Sequence, residues 1–364
     1  MTKHSTKPPA GKTQSSAFAI GVDVGDRFSR VCILDSDGVP CREERVRTSQ
    51  AGFRQYFERL APSQIALEAG THSGWVSRLL QACGHIAIVA NARELRKIHQ
   101  SDRKNDRADA EILARMLRFD PQLLCPIRHR SAQMQADLAV IRARDTLVGA
   151  RTKCVNAARG LVKSVGARLP KCSTHSVAAA ALDHVPVELH AALTPLIATI
   201  SNLSEQIRQY DRSIEVLAKE YPATDVLRQV SGVGALTALT FVLTVADPQR
   251  FRKSRDIGPY LGLVPRQDDS GNRVSQLSIT KAGDAHLRRL LVGSAQYILG
   301  PFGPKCSLRS YGERLTQRGG KNAKKRAVVA VARKLAVLLH RLWTTGEVYE
   351  ALRSEPTQRR GRAA

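Results

Sequence analysis

The segment KNDRADAEIL, residues 104–113, sets Asp106 and Asp109 three positions apart among Lys and Arg. On a helix, positions i and i+3 share a face, so both carboxylates can reach one point. The bland alternative is a solvated helix of mixed charge. Two further acidic residues close candidate strands, Asp23 in AFAIGVDVG (17–25) and Glu68 in SQIALEAG (63–70). Carboxylates gathered at one spot resist one another: a pair about 4 Å apart repels by about 4 kcal/mol at an effective dielectric of about 20. A divalent cation removes that cost, and an oxygen donor set without His or Cys suits Mg²⁺ or Mn²⁺. Paired ions of this kind clamp the attacking and leaving oxygens of a phosphodiester during in-line displacement.

The elements that must position these residues are legible in outline. AFAIGVDVG (17–25), SRVCILD (29–35) and CREERVR (41–47) read as three strands joined by short turns. A helix at about 51–60, a buried strand at 63–70, a helix at about 73–83, a strand at 85–90 and helices around 92–118 follow. Three consecutive strands and then alternating helix and strand is the order of the ribonuclease H-like fold. Asp23 and Glu68 then stand at strand ends, where open α/β sheets put their chemistry.

The chain of 364 residues has 57 Lys plus Arg against 32 Asp plus Glu, a formal charge of +25. An excess of that size points to a polyanionic partner, above all nucleic acid. No lipidation signal, amphipathic anchor or run of membrane-spanning length is visible, so no membrane partner is expected. The seven cysteines (Cys32, Cys41, Cys83, Cys125, Cys154, Cys172, Cys306) show no CxxC spacing, which argues against zinc and disulfides and for a reducing, cytoplasmic setting. MTKHSTKPPAGKTQSS (1–16) reads as a disordered basic arm.

From Leu189 the apolar positions run Leu193, Leu196, Ile200, Leu203, Ile207, Tyr210, Ile214, Leu217, alternating between steps of four and three. This heptad seam specifies a coiled coil. A helix over about 131–165 carries a looser stripe (Met134, Leu138, Ile141, Val148, Val155, Val162), so the seam serves either an intramolecular αα-hairpin or a dimerising coil. Gly232 and Gly234, before the apolar run to Val245, resemble the turn of a helix-hairpin-helix element, and an ordinary tight turn is the competing reading. Between 305 and 341, Lys and Arg recur, Lys321, Lys324, Lys325 and Arg326 among them, and only Glu313 opposes them. We read this as polyanion-binding surface.

GVDVG, ALEAGTHSGWV and KNDRADA resemble, in order, the three motifs of the DEDD-type insertion-sequence transposases, the bridge-RNA-guided recombinases of insertion sequence family 110. FRKSRDIGPYLGLVPRQDDSGNRVSQLSITKAGDAHLRRLLVGSAQ resembles their C-terminal transposase domain, and TKAGDAHLRRLLV with NAKKRAVVAVARKLA resembles the branch typified by insertion sequence 1111. The resemblance covers nearly all of residues 17–345. It implies a RuvC-like (ribonuclease H-like) catalytic domain over 17–130 and a helical coiled-coil region over 131–225. A mostly helical transposase domain over 226–345 and a basic tail over 346–364 complete the chain.

Carried over by motif, the family's acidic quartet falls on Asp23, Glu68, Asp106 and Asp109, which would hold Mg²⁺ or Mn²⁺. Its catalytic serine falls on Ser270, and Ser275, Ser278 and Thr280 are the neighbouring hydroxyls. Asn105 replaces a frequent Thr, and Asp268 and Asp269 precede the serine where Gln or Ser is usual. The implied activity is RNA-guided recombination of a mobile element's DNA through a covalent serine–DNA intermediate. The implied partners are element and target DNA, a structured guide RNA and further copies of the chain, dimers assembling to tetramers in which the acidic site of one copy meets the serine of another. The implied setting is the cytoplasm and, when bound, the nucleoid. A structure-specific endonuclease of the Holliday-junction-resolving type would use the same quartet to activate water and would need neither Ser270 nor RNA. A non-catalytic RNA-binding protein would need no acidic quartet.

Overall fold

The computed structural model describes residues 18–94, 106–174, 176–181, 184–270 and 273–352. The expected basic arm over 1–16, positions 95–105 of the helices expected around 92–118 and the tail beyond 352 lie outside the described residues. The chain divides into two compact units, Met1–Ala132 and Gln133–Ala364.

The first unit is mixed α/β. Its elements are β1 (Ala19–Asp23), β2 (Phe28–Leu34), β3 (Pro40–Arg47), α1 (Gln50–Phe57), β4 (Gln64–Glu68), α2 (Ser73–Ala82), β5 (Ile86–Ala90) and α3 (Asp106–Phe119). The sheet runs β3-β2-β1-β4-β5, with β1, β2 and β3 an antiparallel meander and β4 and β5 parallel to β1. The central strands AIGVD and QIALE are apolar nearly throughout because both faces of the sheet are covered there. β3, PCREERVR, is an edge whose exposed charges oppose strand addition.

Alternation divides the sheet into two different faces. Ile20, Val22, Val31, Ile33, Ile65 and Leu67 pack with Phe53 and Phe57 of α1 and with Val76, Leu79 and Leu80 of α2. The opposite face carries small residues, Gly21, Cys32 and Ala66, and there α3 lies down with Ala110, Leu113, Ala114 and Leu117. A Cβ on Gly21 would stand 1.9 Å from the Ala110 carbonyl oxygen and 2.6 Å from the Ala114 nitrogen. Helix and strand meet backbone to backbone, and only glycine allows that approach.

The second unit is mostly helical: α4 (Ala132–Ser164), α5 (His190–Lys219), α6 (Ala223–Arg228), α7 (Ala235–Val245), the ribbon β6 (Pro265–Ser270) and β7 (Arg273–Ile279), α8 (Ala285–Leu299), α9 (Ser307–Gln317) and α10 (Ala323–Thr345). α7, ALTALTFVLTV, is apolar on every side and buried along nearly its whole length, with α8 and α10 packed in the same core. Among the described residues no helix is long and apolar enough to cross a membrane.

α4 and α5 form an antiparallel hairpin within the chain. Leu138 and Ile141 pack with Ile214 and Ala218. Arg144 pairs with Asp211, Arg151 donates to Ser204, and Val155, Ala158 and Val162 pack with Leu193, Ile197 and Ile200. The heptad step holds, and half of its expected positions differ. Leu193, Ile200, Ile207 and Ile214 are buried as read, and the intervening positions are Ile197, Ser204, Asp211 and Ala218, one residue beyond Leu196, Leu203, Tyr210 and Leu217. Small or paired residues at three of those places, Ser204, Asp211 and Ala218, hid the true seam.

Gly21→Ala should cost about 3 kcal/mol or more, because the new methyl meets backbone that cannot rotate aside. Urea denaturation of the full chain checks this. A midpoint equal to the parent's would mean that α3 does not press on β1.

Candidate active site

Asp23 and Glu68 close neighbouring parallel strands one residue beyond the Val22–Leu67 pair, so they stand side by side at one sheet edge. α3 runs antiparallel to β1. Arg118 in its last turn donates to the Ser36 carbonyl, and Arg115 donates to that of Gly38 (3.3 Å), beyond the end of β2 that pairs with the start of β1. The first turn of α3 therefore lies toward the end of β1 that Asp23 closes. Asp106 and Asp109 lie in the first turn of α3, ahead of the buried stripe of Leu113, Ala114 and Leu117. Arg107, between them, turns away to pair with Glu43 on β3.

Asp23, Glu68 and Asp109 are each partly buried, while only the backbone of Asp106 is described. Among the described residues no three His, Cys, Asp or Glu form a group that could hold a metal ion. Asp23, Glu68 and Asp109 thus share an edge without closing round one point by themselves. Their chemistry, hard oxygens and no nitrogen or sulfur, fits Mg²⁺ or Mn²⁺.

One pair at this edge escaped sequence reasoning. His72 Nε2 approaches Asp26 Oδ1 (3.6 Å), tying the loop after β4 to the turn after β1. Trp75 Nε1 donates to His72 Nδ1 (3.1 Å), which leaves the proton of a neutral imidazole on Nε2, facing Asp26. His72 and Trp75 lie within the motif ALEAGTHSGWV, so the signal was present without a reason to single them out.

Ser270 is the last residue of β6, opposite Arg273 in the ribbon. PRQDDS pairs antiparallel with RVSQLSI, so the serine stands at a strand end. The side chains of Ser270 and Ser275 lie outside the described residues; Ser278 is exposed on β7, and Thr280 follows it. The base of the ribbon is firmly built. Thr280 N donates to the Val264 carbonyl (2.9 Å), and Arg288 Nη1 donates to those of Leu261 (3.0 Å) and Ala282 (2.6 Å). Asp284 caps α8 through Leu287 N (2.8 Å) and pairs with Arg142. Asp145 holds both His286 (3.2 Å) and Arg289 (2.6 Å), and burial keeps the His286 imidazole below its usual range. The charges of TKAGDAHLRRLL thus anchor the ribbon and α8 to α4.

Gly232 has φ +85, and a Cβ there would meet Tyr297 Cδ1 at 2.9 Å; with Gly234 at the N-cap of α7 it makes the α6–turn–α7 bend read from the two glycines. The cations after 305 serve two purposes. Arg309 ties the carbonyls of Ile298, Gly300 and Gly303 and pairs with Glu313, and Arg341 pairs with Glu347, so these two hold structure. Lys321, Lys324, Lys325 and Arg326 are exposed at the start of α10. Four cations there oppose the helix dipole, and an approaching phosphate would relieve that conflict.

Residues 20–166 match the family profile DEDD_Tnp_IS110, described as a transposase, and residues 224–307 match a second, described as the IS116/IS110/IS902 transposase family. The chain is 28% identical over 344 residues to the transposase for insertion sequence element IS1111A of Coxiella burnetii, covering 91% of this chain and 90% of that one. It is 28% identical over 281 residues to the transposase for IS1328 of Yersinia enterocolitica, covering 76% and 82%. It is 30% identical over 311 residues to a Sinorhizobium fredii protein, "Putative transposase y4pF/y4sB", covering 84% and 79%. A transposase is thereby the class. The chain belongs to the IS110 family of insertion-sequence transposases. It is a DNA-cutting and rejoining enzyme.

Replacing Lys321, Lys324, Lys325 and Arg326 together by Gln should make log affinity for duplex DNA less steep against log salt by about 3.6, at about 0.9 for each phosphate no longer neutralised. Fluorescence anisotropy over a salt series reads this. An unchanged slope would mean that the cluster faces away from phosphates.

Proposed function

We propose that this transposase is an RNA-guided recombinase that joins DNA through a serine–DNA phosphodiester, with the acidic quartet of a RuvC-like domain holding Mg²⁺ or Mn²⁺. The observation that carries the reading is the sheet order β3-β2-β1-β4-β5, with Asp23 and Glu68 at adjacent strand ends and α3 laid antiparallel across β1. That order supports the ribonuclease H-like reading. The guide RNA rests on the motif resemblance and on the charge of +25. Oligomers rest on the resemblance and on the half-buried row Leu196, Leu203, Tyr210 and Leu217 beside the hairpin seam.

When bound at such a site, a divalent ion neutralises charge building on the oxygens of the scissile phosphate. Asp23, Glu68, Asp106 and Asp109 supply the ligands, and no catalytic proton transfer is asked of them. Ser270 Oγ attacks phosphorus, one P–O bond forms to the protein and one breaks to the departing deoxyribose oxygen, which takes up a proton as the serine loses one. The bond energy is kept in the phosphodiester, so a later attack by a DNA hydroxyl reseals the strand and frees the serine. The clamp of Arg288 and Asp284 at the ribbon's base fixes the strand that carries Ser270.

Incubation with Mg²⁺, guide RNA and a DNA nicked just beyond the cleavage site should trap a protein–DNA adduct that survives denaturing electrophoresis. Ser270→Ala should lose adduct and strand exchange while still binding nucleic acid, and Asp23→Asn should lose both at least 100-fold, roughly the scale of a missing electrostatic contributor. An adduct that persists in Ser270→Ala sends the nucleophile to Ser275, Ser278 or Thr280. Efficient cleavage by the parent without any adduct would favour a metal-activated water and the nuclease reading.

A further inference from the structure

Between Asp145 and Asp183 the chain holds no carboxylate, yet it holds Arg151, Lys153, Arg159, Lys163, Arg168 and Lys171. This stretch is the second half of α4 and the segment after it, the distal end of the hairpin. Arg159, Lys163, Arg168 and Lys171 line one cavity of about 650 Å³, with Leu169 and Pro170 as its apolar wall. Several other cations of this unit have counter-charges, Arg144 with Asp211, Arg208 with Glu205 and Arg228 with Glu215. Among the described residues no carboxylate pairs with any of the four that line the cavity.

Two ordinary explanations fall short. Lys163, in the last turn of α4, complements the helix dipole, but Arg168 and Lys171 lie beyond the turn at Gly166. Arg159 Nη2 donates to the Cys172 carbonyl (2.9 Å), which fixes that guanidinium and leaves its other donors for a ligand. Four like charges around a concavity focus positive potential into it, and an anion with several spaced charges is what relieves their repulsion. The volume lies within the range of about 300–1,000 Å³ typical of ligand sites, room for a nucleotide unit and its phosphates and more than a simple ion needs.

We propose that the distal end of the α4–α5 hairpin is a second polyanion site, which takes the phosphodiester backbone of nucleic acid independently of the cluster at the start of α10. It uses neither Ser270 nor the acidic edge.

The test is the full chain with Lys163→Gln, Arg168→Gln and Lys171→Gln, keeping Arg159 because of its bond to the Cys172 carbonyl. Anisotropy over a salt series is read with a labelled duplex DNA and, separately, a labelled stem-loop RNA. The slope of log affinity against log salt should become shallower by about 2 to 3 on at least one of them, at about 0.9 per neutralised phosphate on duplex and about 0.7 on single strands. Which ligand responds says whether DNA or RNA occupies the site. A charge-conserving variant, Lys163→Arg with Lys171→Arg, should keep the parent slope. Slopes equal to the parent's on both ligands overturn the proposal, as does equal loss in the neutral and the charge-conserving variants, which would mark a structural role. Adduct formation is measured in the same samples. Failure of the recombinase reading would appear in the parent, whereas failure of this inference leaves parent and variant alike.

Discussion

The approach of α3 to β1 at Gly21 is the constraint on which the first unit depends. A strand and a helix usually keep a layer of side chains between them. Here Gly21, Ala110 and Ala114 remove that layer at the crossing, and Ala66 and Cys32 keep the surrounding face shallow. The helix is fixed in height and direction by that contact, with Arg115 and Arg118 holding its far end to the β2–β3 turn. Two aspartates in its first turn then belong to the edge closed by Asp23 and Glu68. A bulkier residue at position 21 would lift the helix and carry Asp106 and Asp109 with it.

The second unit distributes charge with a different logic. The pairs Arg142–Asp284 and Asp145–Arg289 and the contact of Asp145 with buried His286 join α8 to α4, and Arg288 closes the base of the ribbon through two carbonyls. These groups are matched within the fold. Among the described residues the cations at the start of α10 and around the distal cavity of the hairpin have no carboxylate partner. Matched charge builds the scaffold, and unmatched charge is left for a polyanion.

Much of the first unit was legible because its signals are local. Four apolar runs and the charged CREERVR mark the five strands along the chain, and Asp23 and Glu68 follow from where two of the apolar runs stop. The role of Gly21 was hidden inside a motif that drew attention to its aspartate, since close backbone approach leaves no trace in periodicity. The hairpin seam was half legible for a physical reason. Leu196, Leu203, Tyr210 and Leu217 look like core and stand half-buried, while the seam itself uses Ser204, Asp211 and Ala218, which hydropathy cannot recommend. β6 went unread because PRQDDS has no alternation and is a strand through pairing with β7. Arg309 was grouped with ligand-binding cations, although three carbonyls at the end of α8 claim it.

The proposed reading requires a divalent cation at the edge shared by β1, β4 and α3. Anomalous diffraction from crystals of the full chain soaked in Mn²⁺ tests it directly. The predicted result is a peak at the ends of β1 and β4, within about 2.3 Å of carboxylate oxygens of Asp23 and Glu68 and of at least one of Asp106 and Asp109. Crystals that bind Mn²⁺ elsewhere, or leave this edge without a peak at saturating Mn²⁺, would contradict it.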